Sequence, residues 1–207
     1  EARAGQFVMV QTRAGSDPLL RRPMSLYRVL PGRRGRIQIL YKVVGTGTRY
    51  LSQQPVGAVL ATLGPLGNGF RLPQPGTRPA LVAGGIGIAI FPLLAEALRR
   101  AGRPAPILLY GGRSKRDLVA LDFFRARRIP VRLATEDGSA GARGFVTRLL
   151  EPLLTRNKAG ERLELFVCGP TPMLKVVGAL ATAAGVPCQL ALEYQMPCGI
   201  GVCLGCV

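Results

Sequence analysis

A chain of 207 residues, of which 48% are hydrophobic and 19% charged, can bury the core of one large domain or two small ones. The absence of histidine excludes Ser-His-Asp hydrolysis, histidine-ligated zinc and histidine acid–base chemistry. The net charge of +17 would suit a nucleic-acid surface, but the arginines are scattered and no aromatic residues interleave them, so no nucleic-acid partner is expected.

The chain contains no apolar run long enough to span a bilayer, and its N-terminus does not resemble a secretory signal peptide. Both features favour a soluble cytoplasmic protein without a membrane partner. Thiols stay reduced in that compartment, so the five cysteines indicate metal binding or catalysis rather than disulfides.

Short β-rich runs separated by glycine and proline fill residues 1–74. The runs GQFVMVQT, PMSLYRVL, RIQILYKVV and AVLATLGP predict strands, and a helical turn is expected after the Gly-Thr pair 47–48. Strands at this close spacing indicate an antiparallel sheet or a small barrel. Segment 72–79, with three prolines and a glycine, is predicted to be a domain boundary.

The pattern of apolar residues changes after segment 72–79. PALVAGG and APILLYGG are continuous apolar runs typical of strands buried on both faces, and VRLATED and LELFVCGP continue the series. Helical patterns lie between them, at residues 86–100, 117–128, 145–154 and 171–184. Alternating strands and helices predict a doubly wound parallel sheet, whose ligands bind beyond the carboxyl ends of the strands.

Two motifs follow predicted strands of this sheet. In GGIGIAIF, the glycines let the backbone approach a ligand, and the helix that follows offers free N–H groups to a pyrophosphate. The complete G-x-G-x-x-G pattern is missing, so a tight turn without a ligand fits equally well. In LFVCGPTPML, Cys168 ends a strand, where it is either a site residue or a buried thiol packed as a small hydrophobe.

The N-terminal half offers a second candidate anion site. RRPMSLYR places Arg22 and Ser25 on a strand, and an arginine together with the amides of Gly47 and Thr48 would suit a pyrophosphate. The alternative is an ordinary strand with surface arginines.

Cys198, Cys203 and Cys206 are spaced C-x4-C-x2-C, the plant-type ligand spacing of a [2Fe–2S] cluster. The intervening glycines allow the loop to fold tightly around inorganic sulfide. Zinc more often uses paired C-x2-C elements or adds histidine, which this chain lacks. Three unrelated thiols are the remaining alternative.

Six motifs of the chain, taken in order, resemble the electron-transfer subunit of NAD-dependent (B-type) dihydroorotate dehydrogenase, in the ferredoxin-NADP reductase superfamily. They are RRPMS, YKVVGTGT, LGPLGNGF, GGIGIA, CGPTPMLK and CGIGVCLGC. The resemblance covers essentially the whole chain. It implies an antiparallel flavin-binding β-barrel at 1–74, a doubly wound parallel-sheet NAD-binding domain at 75–192, and the start of a [2Fe–2S] domain at 193–207.

The resemblance also implies the residues that bind each group. FAD would be bound by Arg22, Pro23, Met24, Ser25, Leu40, Tyr41, Lys42, Gly47 and Thr48. NAD would be bound by Gly84, Gly85, Gly87, Gly169 and Pro170. The residues next to the reacting rings would be Cys168 and Ser25, and the cluster ligands would be Cys198, Cys203 and Cys206.

The chain departs from the family pattern at both ends. The family has a fourth cysteine beyond the C-x2-C pair and begins with one more strand, so a trimmed fragment is expected. Cys188, on the predicted strand CQLALEY, is a weak candidate for the fourth ligand. Many superfamily members carry an aromatic residue where Met24 stands.

The resemblance implies an FMN-containing catalytic subunit as the partner, in a heterotetramer with two copies of each chain. The partner would oxidise dihydroorotate to orotate in pyrimidine biosynthesis, and electrons would pass through the [2Fe–2S] cluster and FAD to NAD+. FAD is needed between the two because NAD accepts a hydride whereas the cluster passes single electrons.

Other functions stay open at this point. A related FAD/[2Fe–2S] subunit could serve a hydrogenase or a sulfide- or ferredoxin-linked enzyme, and a zinc-binding, nucleic-acid-binding or nucleotide-binding regulator would lack flavin. NAD and NADP are also not distinguished, because Arg113, Lys115 and Arg116 follow the second strand of the α/β domain, where a 2′-phosphate could be met.

Overall fold

The computed structural model of the chain describes residues 2–15, 17–32, 35–158 and 162–206. These residues form a four-stranded antiparallel sheet followed by a six-stranded parallel sheet with helices. The predicted order, an antiparallel N-terminal part and then a parallel α/β part, is therefore confirmed.

The first sheet has the strand order β3-β2-β1-β4. Its elements are β1 (Phe7–Val10), β2 (Arg22–Leu30), β3 (Arg36–Ile39), α1 (Thr46–Ser52) and β4 (Thr62–Leu66). Strand β2 changes partner along its length, since its first four residues pair with β1 and its last five lie along β3. Helix α1 begins at Thr46 and therefore includes the Gly47-Thr48 pair that was predicted to precede a helical turn.

The strand predicted over RIQILYKVV is wrong beyond Ile39. The hydroxyl of Thr48 accepts hydrogen bonds from the backbone N–H groups of Val44, at 3.0 Å, and Gly45, at 3.2 Å. These amides therefore cap helix α1 rather than extend a strand ladder. Strand β4 likewise begins only at Thr62, later than the apolar pattern predicts.

The second sheet has the strand order β10-β9-β5-β6-β7-β8. Its strands are β5 (Arg78–Gly84), β6 (Ile107–Gly112), β7 (Val131–Thr135), β8 (Ala142–Arg143), β9 (Leu163–Cys168) and β10 (Cys188–Ala191). Its α-helices are α2 (Phe91–Arg100), α3 (Leu121–Ala126), α4 (Thr147–Lys158) and α5 (Thr171–Ala183). All the strand pairs in this sheet are parallel.

Two predicted helices start differently from the sequence pattern. The helix predicted at 86–100 opens with a 3-10 segment, Gly85–Ile90, before α2. The helix predicted at 117–128 begins only at Leu121, because Ala120 adopts a left-handed φ of +57° and the Val119 N–H donates to the Tyr110 hydroxyl at 3.1 Å. A tertiary contact thus overrides the local helical pattern.

One hydrophobic cluster joins the two sheets. Val8 and Leu26 of the first sheet belong to the same buried cluster as Phe91 and Leu94 of α2, which lies between the sheets. A second cluster packs α4 and α5 on the other face of the parallel sheet. Among the helices in the described parts of the chain, none combines the length and hydrophobicity that crossing a bilayer requires.

Charged side chains also connect the two sheets beside this hydrophobic cluster. The Glu96 carboxylate of α2 lies 3.3 Å from the Arg28 guanidinium of β2 and 3.1 Å from that of Arg127. Both guanidinium groups also lie over the Phe123 ring, at 5.5 Å for Arg28 and 3.7 Å for Arg127. We call these four residues the junction cluster, since they connect the two sheets through charge and ring contacts.

Candidate functional site

A cavity of about 730 Å³ lies at the carboxyl ends of the parallel strands. Glycines from three strand ends contribute to its walls: Gly84 at the end of β5 with Gly85 and Gly87 after it, Gly111 and Gly112 at the end of β6, and Gly169 after β9. Because glycine has no side chain, a ligand can approach the backbone closely at these positions. The structure thus brings the predicted NAD-binding glycines to one cavity, together with Pro170.

The loops after β5 and β9 are in direct contact. A Cβ atom at Gly87 would overlap the carbonyl oxygen of Cys168. A Cβ at Gly84 would lie 2.7 Å from the Met173 sulfur and 2.8 Å from Cδ of Pro170. The glycines are therefore required by packing between the two loops as well as by any ligand.

The Tyr110 hydroxyl holds the loop after β5 in place through hydrogen bonds. It lies 2.9 Å from the Gly85 carbonyl and 2.8 Å from the Asp117 carbonyl, and it accepts the Val119 N–H. Burial raises the pKa of Tyr110 to about 12, so the hydroxyl keeps its single proton, and the two carbonyls share this one donor. One buried side chain thereby links two segments of the cavity wall.

A second, smaller cavity of about 230 Å³ lies between the two sheets. Pro23 and Ser25 of β2 line it from one side and Cys168 from the other, so the structure brings together the two residues expected at the reacting rings. Burial and the negative charge of Glu193 raise the pKa of Cys168 to about 12. Its thiol is therefore neutral near pH 7 and is not a thiolate nucleophile.

Glu193 lines both cavities and thus marks the point where they meet. Sequence analysis missed this residue. The available signal was its position two residues beyond β10, because the carboxyl ends of parallel strands are where sites form. Tyr194 and Met196 also line the smaller cavity.

Arg22 and helix α1 form the candidate anion site of the first sheet. The Arg22 guanidinium lies so close to Gly47 that a Cβ there would overlap its Nε. Arg22 also donates through Nη1 to the Leu20 carbonyl at 2.7 Å. Thr48, predicted with them, is buried as the cap of α1 described above.

The other residues expected at FAD are arranged differently. Lys42 lines the larger cavity, where its ammonium group lies 3.6 Å from the Asp117 carboxylate. Met24 is buried in the hydrophobic cluster between the sheets, and Leu40 and Tyr41 pack against that cluster. The side chains of these three residues line neither of the two cavities.

The cysteine loop packs on the first sheet. Gly199, with φ of +74°, is so close to β1 that a Cβ would lie 2.8 Å from Cγ of Met9. The backbone N–H groups of Ile200 and Cys203 lower the pKa of Cys198 to about 6, and the Ile200 nitrogen lies 3.4 Å from the sulfur. A thiolate that accepts amide hydrogen bonds has the chemistry of an iron ligand.

A complete metal site is not assembled, however. Across residues 2–15, 17–32, 35–158 and 162–206, no three His, Cys, Asp or Glu side chains are grouped to hold a metal ion. Cys188 lies on β10 and packs against the cluster formed with α4 and α5. Burial and the charge of Glu164 raise its pKa to about 11, which disfavours the ligating thiolate.

Relatives of known identity match almost the whole chain. The electron transfer subunit of dihydroorotate dehydrogenase B (NAD(+)) from Desulforamulus reducens is 40% identical over 202 residues, which are 98% of this chain and 75% of that protein. This chain belongs to that family. An electron transfer subunit homolog from Aquifex aeolicus is 36% identical, over 98% of this chain and 76% of that protein. No protein-family model matches the chain.

Solved structures agree with this assignment. The NADH-dependent reduced ferredoxin-NADP oxidoreductase, described for flavin-based electron bifurcation, matches with a TM-score of 0.81 and 31% identity over 98% of this chain and 70% of that chain. The ferredoxin reductase of carbazole 1,9a-dioxygenase matches with a TM-score of 0.75 and 25% identity, over 92% and 60%. The predicted reductase fold and the role as an oxidoreductase electron transfer subunit are confirmed.

In this electron transfer subunit, Tyr110→Phe is expected to lower the free energy of unfolding by about 1–2 kcal/mol, because three half-buried backbone groups lose one partner. The KM for NADH should rise with little change in kcat, since the loop after β5 loses its support. Urea unfolding and steady-state kinetics with an artificial electron acceptor would measure both quantities.

Tyr50→Phe is the matched control, because within the described residues the Tyr50 hydroxyl forms no hydrogen bond. It should leave both quantities at the wild-type value. A Tyr110→Phe variant with unchanged stability and KM would contradict the positioning role.

Proposed function

We propose that this chain binds FAD and exchanges electrons between NAD and a partner subunit that oxidises dihydroorotate. The observation that carries the proposal is the meeting of the two cavities at Glu193, with the glycine loops on one side and Ser25 and Cys168 on the other. A nicotinamide in the first cavity and a flavin ring in the second would be neighbours, as hydride transfer requires.

Several residues of the first sheet suit FAD. The Arg22 guanidinium and the amides at the start of α1 would hold the pyrophosphate, and Pro23 and Ser25 would border the ring. Met24, Leu40 and Tyr41 would support these residues from the core side. When bound, FAD supplies the conversion between a two-electron hydride and single electrons.

The residues around the larger cavity suit NAD. Gly84, Gly85 and Gly87, with Gly169 and Pro170, would let the backbone approach the dinucleotide, and Lys42 would contribute a positive charge at the cavity wall. Cys168 would exclude water between the rings as a neutral thiol, because its pKa of about 12 leaves it protonated across the neutral range.

The remaining assignments follow the family pattern. We assign FAD binding to residues 1–74, NAD binding to 75–192 and the start of a cluster domain to 193–207. The thiols that would hold a [2Fe–2S] cluster, a carrier of single electrons, belong to Cys198, Cys203 and Cys206. The partner would be an FMN-containing catalytic subunit, in a cytoplasmic heterotetramer with two copies of each chain.

A visible spectrum of the purified full-length protein tests this proposal. The absorption band of the oxidised flavin, at about 450 nm, should bleach when NADH is added in the absence of oxygen. Arg22→Ala should weaken flavin binding, whereas Arg36→Ala, an exposed arginine on β3, should not. A colourless protein, or flavin bands that NADH leaves unchanged, would refute the proposal.

The similarity to the reduced ferredoxin-NADP oxidoreductase also supports a second candidate, a subunit of the same type that serves another redox partner such as a hydrogenase or a sulfide- or ferredoxin-linked enzyme. The two candidates differ in what co-purifies. A dihydroorotate-oxidising flavoprotein in the complex supports the first, and a different redox enzyme supports the second.

A further inference from the structure

Gln189 places a polar side chain on the face of the parallel sheet that looks toward the first sheet. In the parallel pairing of β10 with β9, Gln189 is in register with Phe166, and Ala191 is in register with Cys168. Paired residues of neighbouring strands project to the same face, and Phe166 and Cys168 belong to the buried cluster that joins the two sheets. Gln189 and Ala191 therefore lie on that face as well, where Ala191 packs against the same cluster.

The side-chain amide of Gln189 binds the backbone of Arg71, which lies between β4 and segment 72–79. The Arg71 N–H donates to Oε1 of Gln189 at 2.9 Å. Nε2 of Gln189 donates to the Arg71 carbonyl at 2.8 Å and to the Glu164 carboxylate at 2.7 Å, so both amide hydrogens are used. Because the Arg71 N–H requires an acceptor and the carboxylate requires a donor, only one orientation of the amide satisfies all three partners.

The residue before Arg71 is attached to the segment that leads into β1. The Phe70 N–H donates to the Ala4 carbonyl at 2.8 Å, and a Cβ at Gly5 would lie 3.2 Å from the Phe70 nitrogen. The Phe70 ring also meets the Phe166 ring edge-on, with 5.4 Å between the centroids. Since consecutive Cα atoms are about 3.8 Å apart, the attachments of Phe70 and Arg71 leave little freedom between the two sheets.

These attachments adjoin opposite walls of the smaller cavity. Gly5, which packs against Phe70, lines that cavity, and so do Ala191 and Glu193, which follow Gln189 along the chain. Apolar contacts between the sheets are non-directional, so they would allow one sheet to slide over the other. The three hydrogen bonds of Gln189 are directional and form at only one relative position of the two walls.

We propose that Gln189 is a positioning residue for electron exchange between NAD and the flavin, because it fixes the two walls of the smaller cavity relative to each other. The inference rests on the proposed function, since it takes the meeting point of the two cavities as the place where the rings meet. Gln189 lines neither cavity, so it acts through Arg71 and through the residues that follow β10.

Gln189→Met tests the proposal, because methionine is similar in length but cannot donate a hydrogen bond and accepts one only weakly. In the flavin-loaded full-length protein, the rate constant of flavin reduction at saturating NADH should fall by about tenfold. The NADH concentration that gives half of that rate should change by less than about twofold, because the larger cavity is left intact. Stopped-flow absorbance measures both quantities, and a variant that merely folds less well would lose signal amplitude instead of rate.

Hydrogen–deuterium exchange reports the contact itself, without any reaction of a cofactor. The Arg71 amide should exchange about five to ten times faster in Gln189→Met than in the wild type, because it loses its acceptor. Mass spectrometry of peptides that contain Arg71 would measure this rate. An unchanged rate would overturn the inference.

An exchange of donor and acceptor between Gln189 and Glu164 provides a rescue test. Gln189→Glu alone brings two carboxylates together and removes the donor to the Arg71 carbonyl, so flavin reduction should be at least as slow as in Gln189→Met. Adding Glu164→Gln restores a donor between the two side chains and should increase the rate about threefold over that of Gln189→Glu. A double variant as slow as Gln189→Glu would overturn the assignment to this amide.

Gln54→Met is the matched control. The Gln54 amide donates to the carbonyls of Thr12, at 3.0 Å, and Tyr50, at 3.3 Å, and both partners lie in the N-terminal part of the chain. Its loss should therefore leave the rate of flavin reduction unchanged. An equal loss of rate in both variants, or a wild-type rate in Gln189→Met, would overturn the inference. A wild-type protein whose flavin is not reduced by NADH would instead refute the proposed function, and the positioning role with it, even where exchange at Arg71 shows that the contact forms.

Discussion

Replacing Gly87 by alanine is expected to abolish NADH oxidation and to lower the free energy of unfolding by about 2–3 kcal/mol. The new Cβ would overlap the carbonyl oxygen of Cys168, and backbone cannot rotate away as a side chain can. The loop after β5 or the loop after β9 must therefore shift. Either shift displaces the contact at which the two cavities meet, so nucleotide binding should fail before folding does.

Flavin reduction by NADH and unfolding in urea would measure the two effects. Gly178→Ala in α5 is the matched control, because its Cβ would lie 3.7 Å from the Leu190 side chain, an ordinary contact. Alanine also favours a helix by roughly 1 kcal/mol over glycine, so this variant should be as stable as the wild type or more so. A Gly87→Ala protein with wild-type KM for NADH would show that the two loops are free to separate.

Replacing Glu96 by alanine is expected to lower the free energy of unfolding by about 2 kcal/mol. The variant leaves the Arg28 and Arg127 guanidinium groups over the Phe123 ring without the carboxylate that they share. A fully buried pair would lose more, but the Arg28 and Arg127 side chains are 29% and 34% exposed, so water screens part of the charge. Nε of Arg28 is buried and already lacks a hydrogen-bond partner among the described residues. Removing the Glu96 carboxylate therefore takes a partner from a guanidinium group that is already incompletely bonded.

The effect should reach the reaction as well, because the junction cluster holds the first sheet against α2 and α3. A looser junction would separate Ser25 from Cys168, and the rate of flavin reduction by NADH should fall in stopped-flow measurements. Glu96→Gln, which retains an acceptor without the charge, should give an intermediate result.

Asp122→Ala provides the control for the loss of a carboxylate. Its ion pair with Arg125 at 3.6 Å is fully exposed on the Asp122 side, so the unfolding midpoint should not move. If Glu96→Ala behaved like this control, the two sheets would be joined by the hydrophobic cluster alone.

The fold was largely predictable because its signals are local. Apolar runs ended by glycine define the parallel strands, and the pattern of PALVAGG or LELFVCGP reports burial on both faces directly. The predicted bounds of the elements are wrong where side chains bind backbone N–H groups. The strand predicted over RIQILYKVV ends at Ile39, and the amide of its last residue, Val44, donates to Thr48 of α1 instead of to a strand. The helix predicted before Leu121 is replaced by the contact of Val119 with Tyr110.

The candidate site was predictable only in part. The glycine loops, Cys168 and Ser25, which line the two cavities, could be singled out from the sequence, because each lies in a recognisable pattern next to a strand. Glu193 was not, because a single glutamate after an edge strand has no distinctive pattern. The inward packing of Met24 also depends on which face of β2 the core covers, which the sequence of that strand alone leaves undetermined.

The sequence by itself determined the family, the two sheets and the order of the loops that carry the chemistry, since these depend on local patterns and on residue identity. Only the tertiary structure decided which loops meet. The sheet order places the ends of β5, β6, β7 and β9 at one edge, and thereby brings Glu136 and Arg113 to one end of a cavity and Glu193 to the other. Neighbours across a parallel sheet are set by strand order, so charged residues far apart in sequence line the same cavity.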